Sequence, residues 1–129
     1  MRLLLDTHVL IWALTDPARL DATTRAQLED AVNEVYFSAA SIWEIAIKAR
    51  IGRADFAHNS TGVARNARET GFVELPVLAD AAARVETLPL HHRDPFDRLL
   101  VAQAIEGPLQ LLTADPLLKP YSELVTLIA

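Results

Sequence analysis

The chain begins with MRLLLDTH, residues 1–8, an apolar run that is followed by a single acid, Asp6. Residues 2–5 predict a short, fully buried strand, because consecutive apolar residues are typical of strands that are covered on both faces. A lone buried carboxylate at the end of such a strand is costly unless it is paired or bound to a metal ion. Asp6 can also cap a helix predicted over residues 7–14, so this stretch alone leaves its role open.

Short buried strands alternate with helices along the rest of the sequence. Strands are predicted at residues 2–5, 35–38, 72–75, 109–113 and 124–128. Helices are predicted at residues 7–14, 23–32, 41–50, 59–69, 79–88 and 94–106, with a helical turn opened by Asp115-Pro116. This alternation predicts an α/β sandwich around a mainly parallel sheet of four to five strands. The length of 129 residues suits one domain, and no repeat or linker interrupts it.

Composition narrows the class of protein further. Hydrophobic residues make up 51% of the sequence and charged residues 22%, which favours a packed core over disorder. There is no cysteine, so disulfides and thiolate metal sites are excluded. The apolar start is too short for a secretion signal or a membrane span, and we expect a soluble cytoplasmic protein. The net charge of −5 predicts that overall attraction does not bring the chain to nucleic acid.

Several acids stand where the predicted strands end. Ligands of open α/β sheets bind beyond the carboxyl ends of the strands, so these positions indicate a site. Asp6 follows the first strand, and Asp115 lies two residues after the strand that ends at Thr113. Other acids stand on helices next to the second and fourth strands, namely Glu44, Asp94 and Asp97. If the sheet is parallel, these carboxylates converge on one edge.

Each acid also has a structural explanation as a helix cap. Ser41 and Glu44 have the spacing of a capping box, with Ser41 as the N-cap. Asp94 and Asp115 each precede a proline, as an N-cap does before a proline at the first helical position. Asp97 is then an acid of the first turn, which the helix dipole favours. Taken singly, capping is the more common role of such residues.

Capping does not explain why the acids converge. Carboxylates at close range repel one another and raise each other's pKa, and a divalent cation removes this repulsion. Oxygen ligands without cysteine favour Mg²⁺ or Mn²⁺. Such a centre predicts hydrolysis of a phosphodiester by metal-activated water, which needs no Ser–His or Cys–His pair.

Four stretches of the sequence resemble the motifs of one family, in the same order and with similar spacing. They are LLLDTH at residues 3–8, SIWEIAIK at 41–48, HHRDPFDRLLVAQA at 91–104 and TAD at 113–115. Together they resemble the VapC branch of the PIN-domain family, small toxins that are each paired with an antitoxin. The third stretch is the most specific, and the resemblance covers nearly the whole chain.

The resemblance implies a single PIN domain over residues 1–129, with a Rossmann-like three-layer sandwich. It also implies endoribonuclease activity with Mg²⁺ or Mn²⁺, an RNA substrate, a VapB-like antitoxin as partner and a homodimer. The acids that it maps as catalytic and metal-binding are Asp6, Glu44, Asp97 and Asp115. Asp94 is an extra acid of this branch, for which a metal ligand and a helix cap are equal alternatives. Thr7 and Thr113 are expected to hold the acids or an ordered water by hydrogen bonds.

Histidines and tryptophans near these motifs receive a structural interpretation. His91 and His92 are predicted to be exposed loop residues, because metal-dependent hydrolysis does not require them as general bases. Trp12 and Trp43 can stack on bases, but they lie in apolar helical stretches. Core packing or a protein interface is therefore the favoured role for both tryptophans.

Two groups of basic residues also lie close to the acids in sequence. Lys48, Arg50 and Arg53 follow Glu44, and they are predicted to complement a helix C-terminus rather than to bind phosphate. Arg93 and Arg98 flank the third motif. They are expected to balance the acids or to meet an acidic segment of the antitoxin.

Two other classes of protein share parts of this pattern. A phosphatase with an aspartyl nucleophile needs a second Asp two residues after Asp6, where this chain has His8. A receiver-like binding module needs paired acids at the first strand and a late lysine, and Lys119 is a poor match because it follows Asp115. A PIN-like scaffold without catalysis would have lost acids that this chain retains.

Overall fold

A parallel sheet of five strands lies at the centre of residues 1–128, the part of the chain that the computed structural model describes. The strands are β1 (Arg2–Leu5), β2 (Glu34–Ser38), β3 (Val73–Leu75), β4 (Gln110–Thr113) and β5 (Val125–Leu127). Their order is β3-β2-β1-β4-β5, and every neighbouring pair is parallel. The prediction of a mainly parallel sheet with four to five strands is confirmed.

Helices connect the strands. They are α1 (Thr7–Thr15), α2 (Ala22–Glu29), α3 (Ala39–Arg50), α4 (Ser60–Thr70), α5 (Ala79–Arg84) and α6 (Pro95–Glu106). Short 3₁₀ helices occur at Pro17–Arg19, Ala54–Phe56, Val85–Thr87 and Pro116–Tyr121. Among the described residues, no helix combines the length and the apolar character needed to cross a membrane.

Two helices end earlier than the sequence predicts, and local hydrogen bonds give the reason. α2 stops at Glu29 because the Asp30 carboxylate accepts from the backbone N–H of Val32 at 3.0 Å, which favours a turn over another helical residue. α5 stops at Arg84 and continues as a 3₁₀ turn, where the Thr87 hydroxyl donates to the Arg84 carbonyl at 2.8 Å. Neither change moves the acids.

The start of α3 differs from the predicted capping box. The N-cap is Ser38, the last residue of β2, whose hydroxyl accepts from the backbone N–H of Ala40 at 3.0 Å. The prediction of Ser41 as N-cap is wrong, because β2 passes directly into the helix and the earlier serine takes the cap. Ser41 is buried inside α3, with its hydroxyl 3.0 Å from that of Thr7. Glu44 is consequently free of a capping role.

Apolar side chains cover both faces of the sheet. Leu3 and Leu5 of β1 belong to one buried cluster together with residues of α1, α3 and α4. Leu4 points the other way and packs in a second cluster with residues of α6. All three leucines are fully buried, and each such burial stabilises the fold by about 1.5–3 kcal/mol. Helices therefore form a layer on each face, as a three-layer sandwich requires.

The register of the central strands determines what meets at the carboxyl edge of the sheet. Leu5 of β1 stands beside Leu112 of β4, and the backbone N–H of Asp6 donates to the Leu112 carbonyl at 3.0 Å. One residue further on, Asp6 and Thr113 lie side by side. The strand order also changes direction between β1 and β4, which is where open α/β sheets bind ligands.

Candidate active site

Asp6 lies at the base of the site, directly after β1, and only 5% of it is exposed. Its Oδ1 accepts from the backbone N–H of Val9 at 2.8 Å, so it caps α1. Its Oδ2 accepts from the hydroxyl of Thr113, a buried residue of β4. Burial raises the pKa of Asp6 to about 6 in spite of these hydrogen bonds. The cap and the site are thus compatible roles of one carboxylate.

Glu44 comes to the same edge from α3 and is 2% exposed. Its Oε1 accepts from the hydroxyl of Thr7 at 2.6 Å, and its Oε2 accepts from the ammonium of Lys48. Thr7 and Thr113 therefore contact Glu44 and Asp6 as the sequence predicts, while their effect on catalysis stays a prediction.

Asp94 is the N-cap of α6. Its Oδ1 accepts from the backbone N–H groups of Phe96 at 2.8 Å and Asp97 at 3.3 Å. Its Oδ2 accepts from the Lys48 ammonium at 3.2 Å. Of the two alternatives for Asp94, the structure contains the cap, and metal ligation stays a prediction.

Asp97 stands in the first turn of α6, and 19% of its side chain is exposed. Its pKa is raised to about 8, first by burial and then by the negative charges of the other acids. These acids are Asp94, Asp6, Glu44 and Asp115. The acids therefore converge around Asp97, as the sequence predicts, and their charges make its ionisation unfavourable.

His92 is the main site residue that the sequence analysis missed. Its Nε2 lies 2.8 Å from Asp115 Oδ2 and 3.4 Å from Asp97 Oδ2. Its Nδ1 accepts from the backbone N–H of Asp94 at 2.9 Å, so the neutral ring carries its proton on Nε2. One ligand atom from each of His92, Asp97 and Asp115 can be chosen so that all lie within 4.8 Å of one another. This spacing suits a single bound cation.

The loop before α6 holds His92 in place. The backbone N–H groups of His91 and His92 donate to the Tyr121 hydroxyl at 3.0 and 2.9 Å. The His91 ring is exposed and packs edge-on against Tyr121, with 4.9 Å between the ring centroids. His91 is thus an exposed loop residue, as predicted. His92 is not, because only 17% of its side chain is exposed and it contacts the acids of the site. The sequence signal for this is its position two residues before a capping Asp.

Lys48 is also placed differently from the prediction. It does not simply complement the end of α3, because its ammonium pairs with both Glu44 and Asp94. Burial alone would lower the pKa of Lys48, but the hydrogen bonds and charges of these two acids outweigh it, and the pKa is raised. Arg53 pairs with Asp55 at 3.1 Å, outside the acid cluster.

The arginines of the third motif do not neutralise the acids by direct contact. The Arg98 guanidinium donates to the carbonyls of Val85 at 3.3 Å and Leu88 at 2.9 Å. The expectation that Arg98 balances the acids is wrong, because its side chain extends toward the turn that precedes the loop. Arg93 is exposed to solvent.

Trp12 packs at the edge of the buried cluster that contains Leu3 and Leu5, whereas Trp43 lies at the surface. Trp43 is 59% exposed, and its ring packs edge-on against Phe96, with 5.1 Å between the centroids. Trp12 is half-buried, and the Arg19 guanidinium lies 4.6 Å from its ring centroid. Of the two roles favoured for Trp43, core packing is therefore wrong, and a protein interface stays a prediction.

The chemistry of these side chains fits a hard divalent cation. Within residues 1–128, the cluster brings four other carboxylates and His92 around Asp97, and one ammonium neutralises part of their charge. Carboxylate oxygens are the ligands that Mg²⁺ and Mn²⁺ prefer. A bound cation would also remove the repulsion that raises the pKa of Asp97.

Solved structures share this fold at low sequence identity. VapBC2 from Rickettsia felis, bound to a DNA fragment from its promoter, has a TM-score of 0.73 with 12% identity, and the match covers 100% of both chains. VapBC-1 from nontypeable Haemophilus influenzae has a TM-score of 0.57 with 17% identity, over 89% of this chain and 87% of that one. At these identities the likeness extends to the fold alone.

Sequence comparison places the chain in a family. Ribonuclease VapC22 from Mycobacterium tuberculosis (strain ATCC 25618 / H37Rv) is 33% identical over 122 residues, which is 92% of this chain and 90% of that protein. The family model described as PIN domain matches residues 3–123. Since this match covers most of the chain and every acid of the site, the chain belongs to the PIN domain family.

Proposed function

We propose that this protein is a metal-dependent endoribonuclease and the toxin of a toxin–antitoxin pair, with residues 1–129 as one PIN domain. The observation that carries the proposal is the group of acids around Asp97 at the carboxyl edge of the central strands, where the Asp97 pKa is raised to about 8. Membership of the PIN domain family and 33% identity to Ribonuclease VapC22 support RNA as the substrate.

The proposed roles follow from the contacts of each side chain. Asp6, Asp97 and Asp115 would hold Mg²⁺ or Mn²⁺, with Glu44 beside them. When bound, such an ion polarises a phosphoryl oxygen and lowers the pKa of a water molecule near it. Thr113 orients Asp6 by its hydrogen bond.

Proton positions in the site agree with this chemistry. A bound cation would favour the ionised form of Asp97, because its positive charge would offset the repulsion by the neighbouring acids. The Nε2–H of His92 is shared with Asp115 Oδ2 at 2.8 Å, which orients that carboxylate. Asp97 and Asp115 would thus offer carboxylate oxygens to the cation, and no nucleophilic side chain is needed.

The partner proposal depends on the relatives. The structures from Rickettsia felis and Haemophilus influenzae are VapBC proteins with this fold. We therefore propose a VapB-like antitoxin as the partner of this chain. From its membership of the PIN domain family we also propose a homodimer as its assembly and the cytoplasm as the compartment where it meets RNA.

Asp6→Asn and Asp97→Asn test the active site. Each variant keeps the shape of the side chain but can no longer offer a carboxylate to the cation, so each is expected to abolish Mg²⁺-dependent RNA cleavage while circular dichroism remains that of the wild type. Asp80→Asn, at an exposed acid of α5, is the matched control and should cleave RNA as the wild type does.

Two results would contradict the proposal. Undiminished RNA cleavage by both Asp6→Asn and Asp97→Asn would remove the metal-site mechanism. Wild-type protein that hydrolyses p-nitrophenyl phosphate but leaves RNA intact would indicate an acidic-site phosphatase instead.

A further inference from the structure

Lys48 lies among the acids of the site, although it stands one helical turn after Glu44. Its ammonium donates to Glu44 Oε2 and, at 3.2 Å, to Asp94 Oδ2, and 13% of its side chain is exposed. It also lies 4.7 Å from the ring centroid of Phe56 and 5.6 Å from that of Phe96. The ammonium is therefore fixed between two helices and two aromatic rings.

Lys48 takes one oxygen of each carboxylate that it contacts. Glu44 accepts from the Thr7 hydroxyl on Oε1 and from Lys48 on Oε2. Asp94 accepts backbone N–H groups of α6 on Oδ1 and the ammonium on Oδ2. A metal ion bound to either carboxylate would compete with these hydrogen bonds, and above all with Lys48.

The remaining acids form a separate group. Asp97 and Asp115 are close enough to share one ion, because one oxygen of each lies within 4.8 Å of the other, and the His92 Nε2–H orients Asp115 beside it. Asp6 belongs with these acids because its carboxylate accepts from the Val9 N–H and the Thr113 hydroxyl, neither of which carries a charge. The cluster thus divides into a pair neutralised by an internal ammonium and a set that faces no lysine or arginine among the contacts of residues 1–128.

We propose that Lys48 occupies the place of a second cation, so that the site binds one divalent ion rather than two. This inference rests on the proposed function. Nucleases with two ions hold them about 3.5–4 Å apart and share carboxylates between them. Here the carboxylates that a second ion would need, Glu44 and Asp94, already bind the ammonium of the chain itself.

Mn²⁺ binding to the full-length protein tests the proposal directly. Isothermal titration with Mn²⁺ alone should give one ion per chain for the wild type, and two for Lys48→Met, in which the internal cation is lost. Electron paramagnetic resonance of the saturated proteins gives a second readout, because spin coupling between neighbouring Mn²⁺ ions should be seen in Lys48→Met only.

Two control variants test whether the number of bound ions depends on a cation beside Glu44 or on any cation of α3. Arg50→Met removes an exposed cation from the end of the same helix and should bind one ion, like the wild type. Lys48→Arg keeps a cation beside Glu44 and should also bind one. Because Lys48→Met can fail to fold with Glu44 left unpaired, the wild-type and Lys48→Arg stoichiometries test the proposal independently.

Three results would each overturn the inference: two ions per wild-type chain, two ions in Lys48→Arg, or a single ion in folded Lys48→Met. If two ions bind and RNA cleavage still depends on metal, only this inference fails. If no Mn²⁺ binds and RNA cleavage continues in a chelator, the proposed function itself fails.

Discussion

Asp97 and Asp6 are the two acids whose ionisation differs most clearly from that of an ordinary aspartate. The pKa of Asp97 is raised to about 8 and that of Asp6 to about 6, in both cases mainly by burial. In the unfolded chain both lose their protons near the ordinary value of 3.8. Without metal, the unfolded state is therefore favoured as the pH rises, by up to about 1.4 kcal/mol per pH unit and per group.

This predicts that the metal-free protein becomes less stable from mildly acidic to mildly alkaline pH. We expect the free energy of unfolding in urea with a chelator to fall between about pH 4 and about pH 8, with Asp6 contributing only to about pH 6. Asp97→Asn should be the more stable protein near pH 8 and should have a flatter profile above pH 6. Parallel profiles for Asp97→Asn and wild type would contradict the raised pKa, and Asp80→Asn serves as control.

The same raised pKa predicts that metal binding releases a proton. At pH 7 most Asp97 side chains carry a proton that a bound cation must displace, so about one proton should leave per ion. Titrating Mn²⁺ into the protein in buffers of different ionisation enthalpy measures this number. Asp97→Asn has no such proton to lose, and equal release from the variant would assign the proton to another group.

At the scale of single residues, the sequence predicts the acids better than their neighbours. Asp6 is recognisable because it follows a buried strand, and the structure places it at the strand end. Lys48 and His92 depart from their predicted roles because their partners are distant in sequence or lie in another element. A lysine after Glu44 looks like a helix end until α6 brings Asp94 within 3.2 Å.

At the scale of the helix, Asp94 both caps α6 and pairs with Lys48, and two substitutions separate these roles. Asp94→Asn keeps an N-cap and loses the charge, whereas Asp94→Ala loses both. We expect Asp94→Ala to be less stable than Asp94→Asn by about 0.5–2 kcal/mol in urea unfolding. Equal stability of the two variants would mean that the cap contributes nothing to α6.

Element boundaries were predicted where one signal dominates. The strands follow from apolar runs, and α6 begins at Pro95 with Asp94 as its cap, close to the predicted start at residue 94. The start of α3 is not predicted correctly, because Ser38 and Ser41 are both acceptable caps. Only the direct junction of α3 with β2 decides between them. Local sequence therefore predicts the helices and strands, while contacts between them decide where each one begins and ends.

At the scale of the whole molecule, the net charge of −5 opposes RNA binding. We predict that a fluorescent single-stranded RNA binds weakly in a chelator and at least about tenfold more tightly with Ca²⁺, as measured by anisotropy with the RNA checked for integrity. Asp97→Asn should lose this gain. Tight RNA binding in the chelator would show that a surface other than the acid site attracts RNA.

The whole fold was predictable because one pattern repeats along the chain. Buried strands alternating with helices indicate a parallel sheet, and the edge where the acids meet follows from that topology. The contact of α3 with α6 across this edge was not predictable from the sequence, because these helices belong to layers on opposite faces of the sheet. The division of the acids between Lys48 and a metal ion depends on that contact.

The register of β1 against β4 also decides where the chain tolerates changes of length. One residue added within β1 would turn its leucines to the wrong faces and carry Asp6 away from Thr113. A residue added in the exposed turn at Gly52 would shift neither strand. Insertions and deletions among natural or engineered variants should accordingly occur in such turns and be absent from residues 2–6. A change of length there would disrupt both the acid site and the packing of the core.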